Sequence, residues 1–298
     1  LYSLFYIRPD YILLTDIMSQ RVASIVSFLI RRRYIVVAHG SEVLANFKEG
    51  AFKRKLFAEI YSRACGIIAN SNYTRDLLVE SGVAPDKITV INPAINPELL
   101  SRRGEPQRVI DRYNLKGKKV LLTVGSLSER KGHDKVIEAL PYIMRKIKDL
   151  VYLVVGSGDN LDNLKKLARR HKVDKAVIFA GRVSDSDLID YYDACNIFVL
   201  PNRQVSNLVE GFGIVFLEAA ARRRPVIGGA SGGTSDAVLN GSTGYLINPL
   251  DSRELAEAAI RLLEDEELAS SMGRQGRERC CKYFSEECIG DKISRVIK

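Results

Sequence analysis

Two glutamates eight positions apart, Glu210 and Glu218, are the side chains of this sequence whose spacing best suits chemistry. A Gly-Phe-Gly turn follows the first of them, and the apolar run that continues to Ala221 predicts a helix carrying the second. Eight residues are a little over two helical turns, so a loop carboxylate and a helix carboxylate can face the same side. Carboxylates accept hydrogen bonds from vicinal hydroxyls, and free N–H groups at a helix start suit a diphosphate. The alternative for this common spacing is a surface loop and an amphipathic helix with solvated glutamates.

The stretch 210–218 resembles the E-x7-E signature of retaining glycosyltransferases with the GT-B fold (glycosyltransferase family 4, group 1), which include sucrose synthases and phosphatidylinositol mannosyltransferases. The resemblance runs from about Arg8 to the C-terminus and is densest from Val120 to Pro249. It is carried by an ordered series of further segments, which are residues 120–132, 151–158, 177–182, 197–201 and 225–233. The resemblance implies an α/β protein with two Rossmann-like parallel-sheet domains that face a cleft.

The activity that the resemblance implies is transfer of a hexose from a nucleotide sugar to an acceptor hydroxyl, with retention of configuration. The signature is most similar to the mannosyl-transferring members that act on lipids, so GDP-mannose is the first expectation for the donor and a UDP-hexose the second. A lipid or glycan is the expected acceptor. The family generally uses no metal ion, and no cofactor is expected.

The family's roles for the signature map onto this sequence residue by residue. Glu210 is expected to hydrogen-bond the donor sugar, and Glu218 the ribose hydroxyls. The backbone N–H groups of Phe212, Gly213 and Ile214 are expected to meet the sugar and the β-phosphate. The resemblance makes Glu210 a catalytic candidate.

Basic residues are expected to neutralise the diphosphate. Lys131 matches the family's lysine in the loop after the first strand of the donor domain, and it is a second catalytic candidate. The family usually has an arginine where this sequence has Ser126, which puts the two-cation clamp in doubt, and Arg130 is the candidate to replace it. Gly181 and Arg182 are expected to frame the nucleobase through backbone contacts.

Other polar residues follow the predicted strands. His39 matches a family histidine beside the reacting face of the sugar, so it is the third catalytic candidate and lies on the acceptor side with Asp16. Asn202 and Arg203 are expected to border the donor pocket, although Arg203 could equally be a solvated loop residue. His133, directly after Gly132, is expected to cap a helix.

Apolar strands alternate with helical stretches nearly throughout, which indicates parallel α/β sheets. The expected domains are an acceptor-binding domain at 1–108, a nucleotide-sugar-binding domain at 109–282 and a closing helix at 283–298 that returns to the first domain. Prolines at 93, 97 and 106 mark the connector. The first domain is expected to be truncated, because the family's first strand and glycine-rich loop precede the equivalent of Pro9. Its expected strands are Tyr11–Leu14, Tyr34–Ala38, Gly66–Ala69 and Lys87–Ile91, and a helix is expected at Ser19–Arg32.

Composition narrows the class of protein. The 298 residues, 46% hydrophobic and 27% charged, suit two globular domains, and no apolar run reaches the roughly 18 residues of a transmembrane helix. Five cysteines without pairing motifs favour a reducing cytoplasm. The net charge of +9 is concentrated at 31–33, 53–55 and 222–224. Solvated helices, contact with an anionic membrane surface at the inner face, or attraction to a phosphorylated acceptor explain these clusters. The sequence lacks the aromatic–basic pattern of a nucleic-acid module.

Other activities are weighed against the same residues. The stretch 155–161 approaches a dinucleotide fingerprint, but Leu161 stands at the third glycine position, so a nicotinamide cofactor is not expected. A nucleotide-sugar epimerase or hydrolase of the same fold and a non-catalytic sugar-nucleotide-binding remnant stay open. No acidic residue stands where a nucleophile is expected, which favours a front-face mechanism.

Overall fold

The computed structural model describes residues 11–15, 33–48 and 51–297. For residues 47, 48, 51–54, 56 and 297 it describes the backbone only. Within these ranges the chain forms two parallel β-sheets, one after the other in sequence. The first has the order β1-β2-β3-β4, in strands Tyr11–Leu14, Arg33–Ala38, Gly66–Ala69 and Ile88–Val90. All three of its strand pairs are parallel. These strands agree with those expected from the sequence to within one residue at each end.

The second sheet has six strands in the order β10-β9-β8-β5-β6-β7. Its strands are Lys119–Val124 (β5), Leu150–Val155 (β6), Val177–Gly181 (β7), Ile197–Leu200 (β8), Val226–Gly229 (β9) and Gly244–Ile247 (β10). The chain builds outward from β5 in one direction and then returns to its other side with β8. The point between β5 and β8 is therefore a topological switch point, where loops at the carboxyl ends leave a crevice.

Thirteen helices accompany the strands in the described part of the chain. Those before the second sheet are Ser41–Lys48 (α1), Ala51–Arg63 (α2), Asn72–Glu80 (α3), Glu98–Ser101 (α4) and Pro106–Arg112 (α5). Those that follow are His133–Ile143 (α6), Leu161–Arg170 (α7), Asp185–Ala194 (α8), Ile214–Ala221 (α9), Thr234–Ala237 (α10), Ser252–Glu264 (α11), Glu266–Tyr283 (α12) and Glu286–Ile297 (α13). The sequence-predicted helix at Ser19–Arg32 lies outside the described residues.

The second sheet is covered on both faces. Successive side chains of a strand point to opposite faces, so Val120 and Leu122 pack in one core while Leu121 packs in another. All six residues of β6 are buried. Burial on both sides explains why the strands read as continuous apolar runs rather than as alternating ones.

The two sheets are joined by residues 91–118, and the expected boundary after residue 108 lies inside α5. Their units also touch directly, since Asn72 Nδ2 donates to Asp236 Oδ1 over 3.2 Å. The last helix, α13, packs Ile289 against the first sheet, where it meets Ile35 and Ile68. The chain therefore crosses between the two units twice.

Helix α1 was not anticipated, because it spans only eight residues and begins three residues after strand β2 ends. Among the helices of the described residues, none is long and apolar enough to cross a membrane. Of the basic clusters near the N-terminus, Arg33 and Lys55 are exposed. Arg31 and Arg32, and the side chains of Lys53 and Arg54, lie outside the described set.

Candidate active site

The loop that carries Glu210 joins β8 to α9 at the switch point of the second sheet. The helix begins at Ile214 behind Gly213, whose φ of +86° belongs to the left-handed region that favours glycine. Gly211 is required for a different reason, because a Cβ there would lie 1.8 Å from the carbonyl oxygen of His39. The loop is thus pressed against the first unit.

Two cations converge on the first glutamate. Arg130 Nη1 lies 2.7 Å and Lys131 Nζ 2.6 Å from Oε2 of Glu210, and the three side chains are only 21%, 11% and 13% exposed. Burial alone would raise the pKa of Glu210, but the attraction of Lys131 and Arg130 outweighs it and holds that pKa below its ordinary value. Glu210 is therefore ionised at neutral pH. Its hydrogen bonds to described residues all go to Oε2, so Oε1 stays available as an acceptor.

The short 3₁₀ turn that carries both cations, Glu129–Lys131, is held by a buried arginine. Arg203 is 8% exposed, and its guanidinium forks onto the two carboxylate oxygens of Asp134 at 2.9 and 3.0 Å. Its backbone N–H donates to the carbonyl of Arg130 over 2.8 Å. Arg203 therefore positions the turn, and the expectation that it could be a solvated loop residue is wrong.

Ser126 lies at the start of the same loop and offers no charge. Its hydroxyl is 3.2 Å from that of Ser128, and its carbonyl accepts a hydrogen bond from Nε2 of His133 at 3.0 Å. His133 does not cap the helix, since Gly132 is the N-cap residue and the imidazole is buried against Tyr152. Burial lowers the pKa of His133 to about 4, so the ring is neutral and supports the loop by hydrogen bonding.

Glu218 lies one turn into α9 and is held by a tyrosine that the sequence did not single out. The hydroxyl of Tyr192 donates to Oε2 of Glu218 over 2.6 Å. The pKa of Glu218 is raised above its ordinary value, mainly because the carboxyl group is buried. The hydrogen bond from Tyr192 and the charge of Lys131 lower this pKa, and the charge of Asp185 raises it. The charge of Lys131 thus acts on both glutamates.

His39 directly follows β2 at the carboxyl edge of the first sheet and is exposed. Its Nε2 lies 3.1 Å from the carbonyl oxygen of Thr15. The adjacent Ser41 hydroxyl donates to the carbonyl of Val209 over 2.9 Å, which fastens this loop to the one that bears the first glutamate. His39 therefore borders the same cleft, whereas Asp16 lies outside the described residues.

The remaining expected site residues, Asn202, Gly181 and Arg182, lie at the ends of β8 and β7. Asn202 is fully buried and donates to Thr234 Oγ1 over 2.8 Å, so it supports the loop after β9 and does not line the cleft. Gly181 ends β7 with a φ of +75°. Arg182 lines a pocket of about 370 Å³ between α5 and α8, whose described walls do not include the two glutamates.

Cations, carboxylates and a helix start are thus gathered at the carboxyl ends of parallel strands. Such a set can bind a diphosphate through Arg130 and Lys131 and hydroxyl groups through Glu210 and Glu218. The described residues contain no group of three or more histidine, cysteine, aspartate or glutamate side chains able to hold a metal ion.

Similar proteins have been described in bacteria. A GDP-mannose-dependent alpha-(1-6)-phosphatidylinositol monomannoside mannosyltransferase of Mycolicibacterium smegmatis is 30% identical over 89% of this chain and 70% of its own length. The protein of the same description from Mycobacterium tuberculosis is 32% identical over 76% of this chain and 60% of its length. The chain thus spans only part of these relatives.

Solved structures share the fold. Anabaena HepE in complex with UDP and glucose superposes with a TM-score of 0.85 at 21% identity, covering 97% of this chain and 77% of that one. This likeness confirms the GT-B arrangement of two Rossmann-like units. The family model for glycosyltransferase family 4 matches residues 4–99, and the model for glycosyl transferases group 1 matches residues 107–279. The chain belongs to the glycosyl transferases group 1 family.

Proposed function

We propose that the protein is a retaining hexosyltransferase that moves a hexose, mannose in the first place, from a nucleotide sugar to an acceptor hydroxyl. The observation that carries the proposal is the partly buried contact of Arg130 and Lys131 with Glu210 beside the start of α9. The two mannosyltransferase relatives named for GDP-mannose support this choice of donor. A lipid or glycan acceptor follows by the same comparison and is part of the proposal.

The two cations serve the leaving group. Lys131 and Arg130 bind the diphosphate oxygens, and the N–H groups of Phe212, Gly213 and Ile214 add neutral donors at the helix start. Arg130 takes the place of the arginine that the family usually has at the position of Ser126. The negative charge that develops on the leaving phosphate is thereby stabilised without a metal ion.

The two glutamates orient the donor. Glu210 keeps its Oε2 on the cations and uses Oε1 for a sugar hydroxyl, while Glu218 accepts from the ribose. His39 hydrogen-bonds near the anomeric carbon from the other side of the cleft, and Asp16 belongs to the acceptor side. Gly181 and Arg182 frame the nucleobase.

The reaction is a front-face displacement. The bond between the anomeric carbon and the phosphate oxygen breaks as the acceptor oxygen bonds to that carbon from the same face. The acceptor's proton passes to the departing phosphate oxygen, so no protein nucleophile is needed. The role of the protein is positioning and electrostatic stabilisation.

The test is the release of nucleoside diphosphate from GDP-mannose and UDP-glucose, with and without a phosphatidylinositol-containing acceptor. Release that requires acceptor is the expected result. Release of free sugar without acceptor would identify a hydrolase, and an isomerised nucleotide sugar an epimerase. Binding without any turnover would identify a sugar-nucleotide-binding remnant, an alternative to which the uncharged Ser126 gives weight.

Glu218→Gln is expected to weaken donor binding about 10- to 100-fold, because a charged acceptor of ribose hydroxyls is worth about 1.5–3 kcal/mol. The substitution should not destabilise the fold. The pKa of Glu218 is raised on folding, so the free energy of unfolding falls as the pH rises through that pKa. Glutamine does not ionise, so the variant should not show this fall. Calorimetric titration with nucleotide sugar and thermal melts at pH 5 and pH 8 measure both effects. Unchanged donor affinity in the variant would contradict the ribose assignment.

Chelation of divalent metal ions is expected to leave turnover unchanged, because two partly buried cations and a helix start neutralise the diphosphate. Initial rates measured with excess EDTA, and again after addition of manganese, check this. A rate that EDTA abolishes and manganese restores would show that the leaving group needs a metal ion.

A further inference from the structure

A second concave site lies at the junction of the connector with the second unit, between residues 100–106 and the end of α9. It encloses about 620 Å³. Among the described residues that line it, Asp193 is the one acidic side chain, against five arginines. These are Arg103, Arg222, Arg223, Arg224 and Arg277. The sequence cluster at 222–224 thus forms the wall of a pocket, and the catalytic proposal does not use it.

The pocket is separate from the cleft. Residues 222–224 lead into β9 and Asp193 lies shortly before β8, so both are at the amino ends of their strands. Glu210 follows the carboxyl end of β8. Because the strands of this sheet are parallel, the two sites occupy opposite edges of it.

Three of the arginines are fixed in place by the protein, and one of them, Arg224, donates from Nη2 to the carbonyl of Asp193 over 2.9 Å. Arg222 forks onto Asp193 at 2.9 and 2.5 Å, and its Nη1 donates to the carbonyl of Leu99 over 2.9 Å. Arg277 donates to the carbonyl of Leu100 over 2.7 Å. The single carboxylate and the carbonyls therefore orient these cations without neutralising the pocket.

Arg103 and Arg223 are exposed at the rim and make no side-chain hydrogen bond or ion pair with any described residue. Arg223 also has a φ of +58°, directly after Arg222, which is the C-cap residue of α9. Glycine is favoured at this position, and a side chain there strains the backbone. The N–H groups of Arg223 and Arg224 donate to the carbonyls of Ala220 and Ala219 at 2.8 and 3.0 Å, so this conformation closes the end of α9.

We propose that this pocket binds a small molecule that carries two or more phosphate groups. Guanidinium groups match phosphate oxygens, and the described lining holds five of them and only one carboxylate. The volume lies within the roughly 300–1,000 Å³ of small-molecule sites. Leu100, Pro106 and Ala221 supply an apolar wall beside the cations. An occupant bridges Arg103 on the connector to Arg223 and Arg277 on the second unit.

Tripolyphosphate is the probe, and calorimetry is the measurement. The cleft also binds diphosphates in our proposal, so two sites are expected in the unaltered protein. Lys131→Ala should weaken the cleft site alone. The double variant R103A/R223A should weaken the pocket site alone, by about tenfold or more for the loss of two charge-assisted contacts. The proposal would be overturned if the unaltered protein bound tripolyphosphate at one site only and Lys131→Ala abolished that binding. It would also be overturned if two sites were found and the double variant weakened neither.

A membrane surface is the competing occupant. Sedimentation with vesicles of equal parts phosphatidylcholine and phosphatidylserine distinguishes it. Binding of vesicles that needs Arg103 and Arg223, together with no tripolyphosphate binding at the pocket, would replace the small molecule by a lipid surface. We expect the double variant to bind these vesicles as the unaltered protein does.

Arg223→Gly separates charge from strain. It should raise the melting temperature by a few degrees and still lose tripolyphosphate affinity at the pocket. Arg223→Ala removes the same charge and keeps the strained Cβ, so it should lose affinity without the gain in melting temperature. Full pocket affinity in both variants would contradict the role of this arginine.

Discussion

Replacing Lys131 with alanine is expected to lower turnover by about 100- to 1,000-fold, the usual cost of removing a preorganised charge from a developing anion. Lys131 is 11% exposed and lies 2.6 Å from Oε2 of Glu210. No other lysine makes this contact among the described residues, and neutral water cannot replace the charge of the partly buried ammonium group. Steady-state release of nucleoside diphosphate at saturating donor measures the effect.

Two variants serve as controls for that experiment. Lys166→Ala removes an exposed lysine of α7 and should leave turnover unchanged. Arg130→Ala should cost less than Lys131→Ala, because Arg130 is more exposed, at 21%. Turnover of Lys131→Ala within about twofold of the unaltered protein would show that the leaving group is stabilised elsewhere.

Gly211→Ala is expected to have an effect of similar size through geometry. The added Cβ would lie 1.8 Å from the carbonyl oxygen of His39 and 2.9 Å from Nδ2 of Asn70. Because the first of these is a backbone atom, the loop must move away from the first unit and take Glu210 with it. A displacement of about 1 Å costs on the order of 100-fold in rate, and the overpacking destabilises the fold by about 1–3 kcal/mol.

Gly290→Ala is the matched control for this variant, since a Cβ at Gly290 meets no atom within 4 Å. It lies within α13, where alanine is favoured over glycine by about 1 kcal/mol. Turnover and denaturant midpoints of the two variants give the comparison. Normal turnover of Gly211→Ala would mean that the contact with His39 does not shape the site.

Local patterns in the sequence predict the fold well where they reflect burial on both faces of a sheet. The helix Ser252–Glu264 is an example, because Asp251 caps it and apolar residues recur along it at the helical period. The loop before Glu218 could be predicted from its two glycines. Gly211 is needed for a close contact with the backbone of His39, and Gly213 for a left-handed turn. The short helix α1 lacked such signals.

Partners that meet only in three dimensions could not be predicted. Tyr192 lies on α8, 26 residues before the carboxylate that it holds. Arg203 is 69 residues from Asp134, and nothing in either sequence context distinguishes a buried ion pair from two solvated charges. His133 follows a glycine as a capping residue would, yet it faces the core. In each case tertiary packing decides the role, and the local sequence does not record it.

The three consecutive arginines at 222–224 show the same limit. Their sequence is typical of a solvated helix end, but in the structure they line a pocket closed by the connector and by Arg277 of α12. The contact partners of Arg222 are a carboxylate 29 residues away and a carbonyl 123 residues away. A charge pattern alone does not distinguish a surface from a concave site.

The most direct test of the central claim is the anomeric configuration of the product formed from GDP-mannose, measured by NMR during acceptor-dependent release of GDP. An α-linked mannoside is expected, since the acceptor oxygen bonds to the anomeric carbon on the face from which the phosphate leaves. The signal should disappear in Lys131→Ala. A β-linked product, or release of GDP that does not depend on acceptor, would contradict that claim.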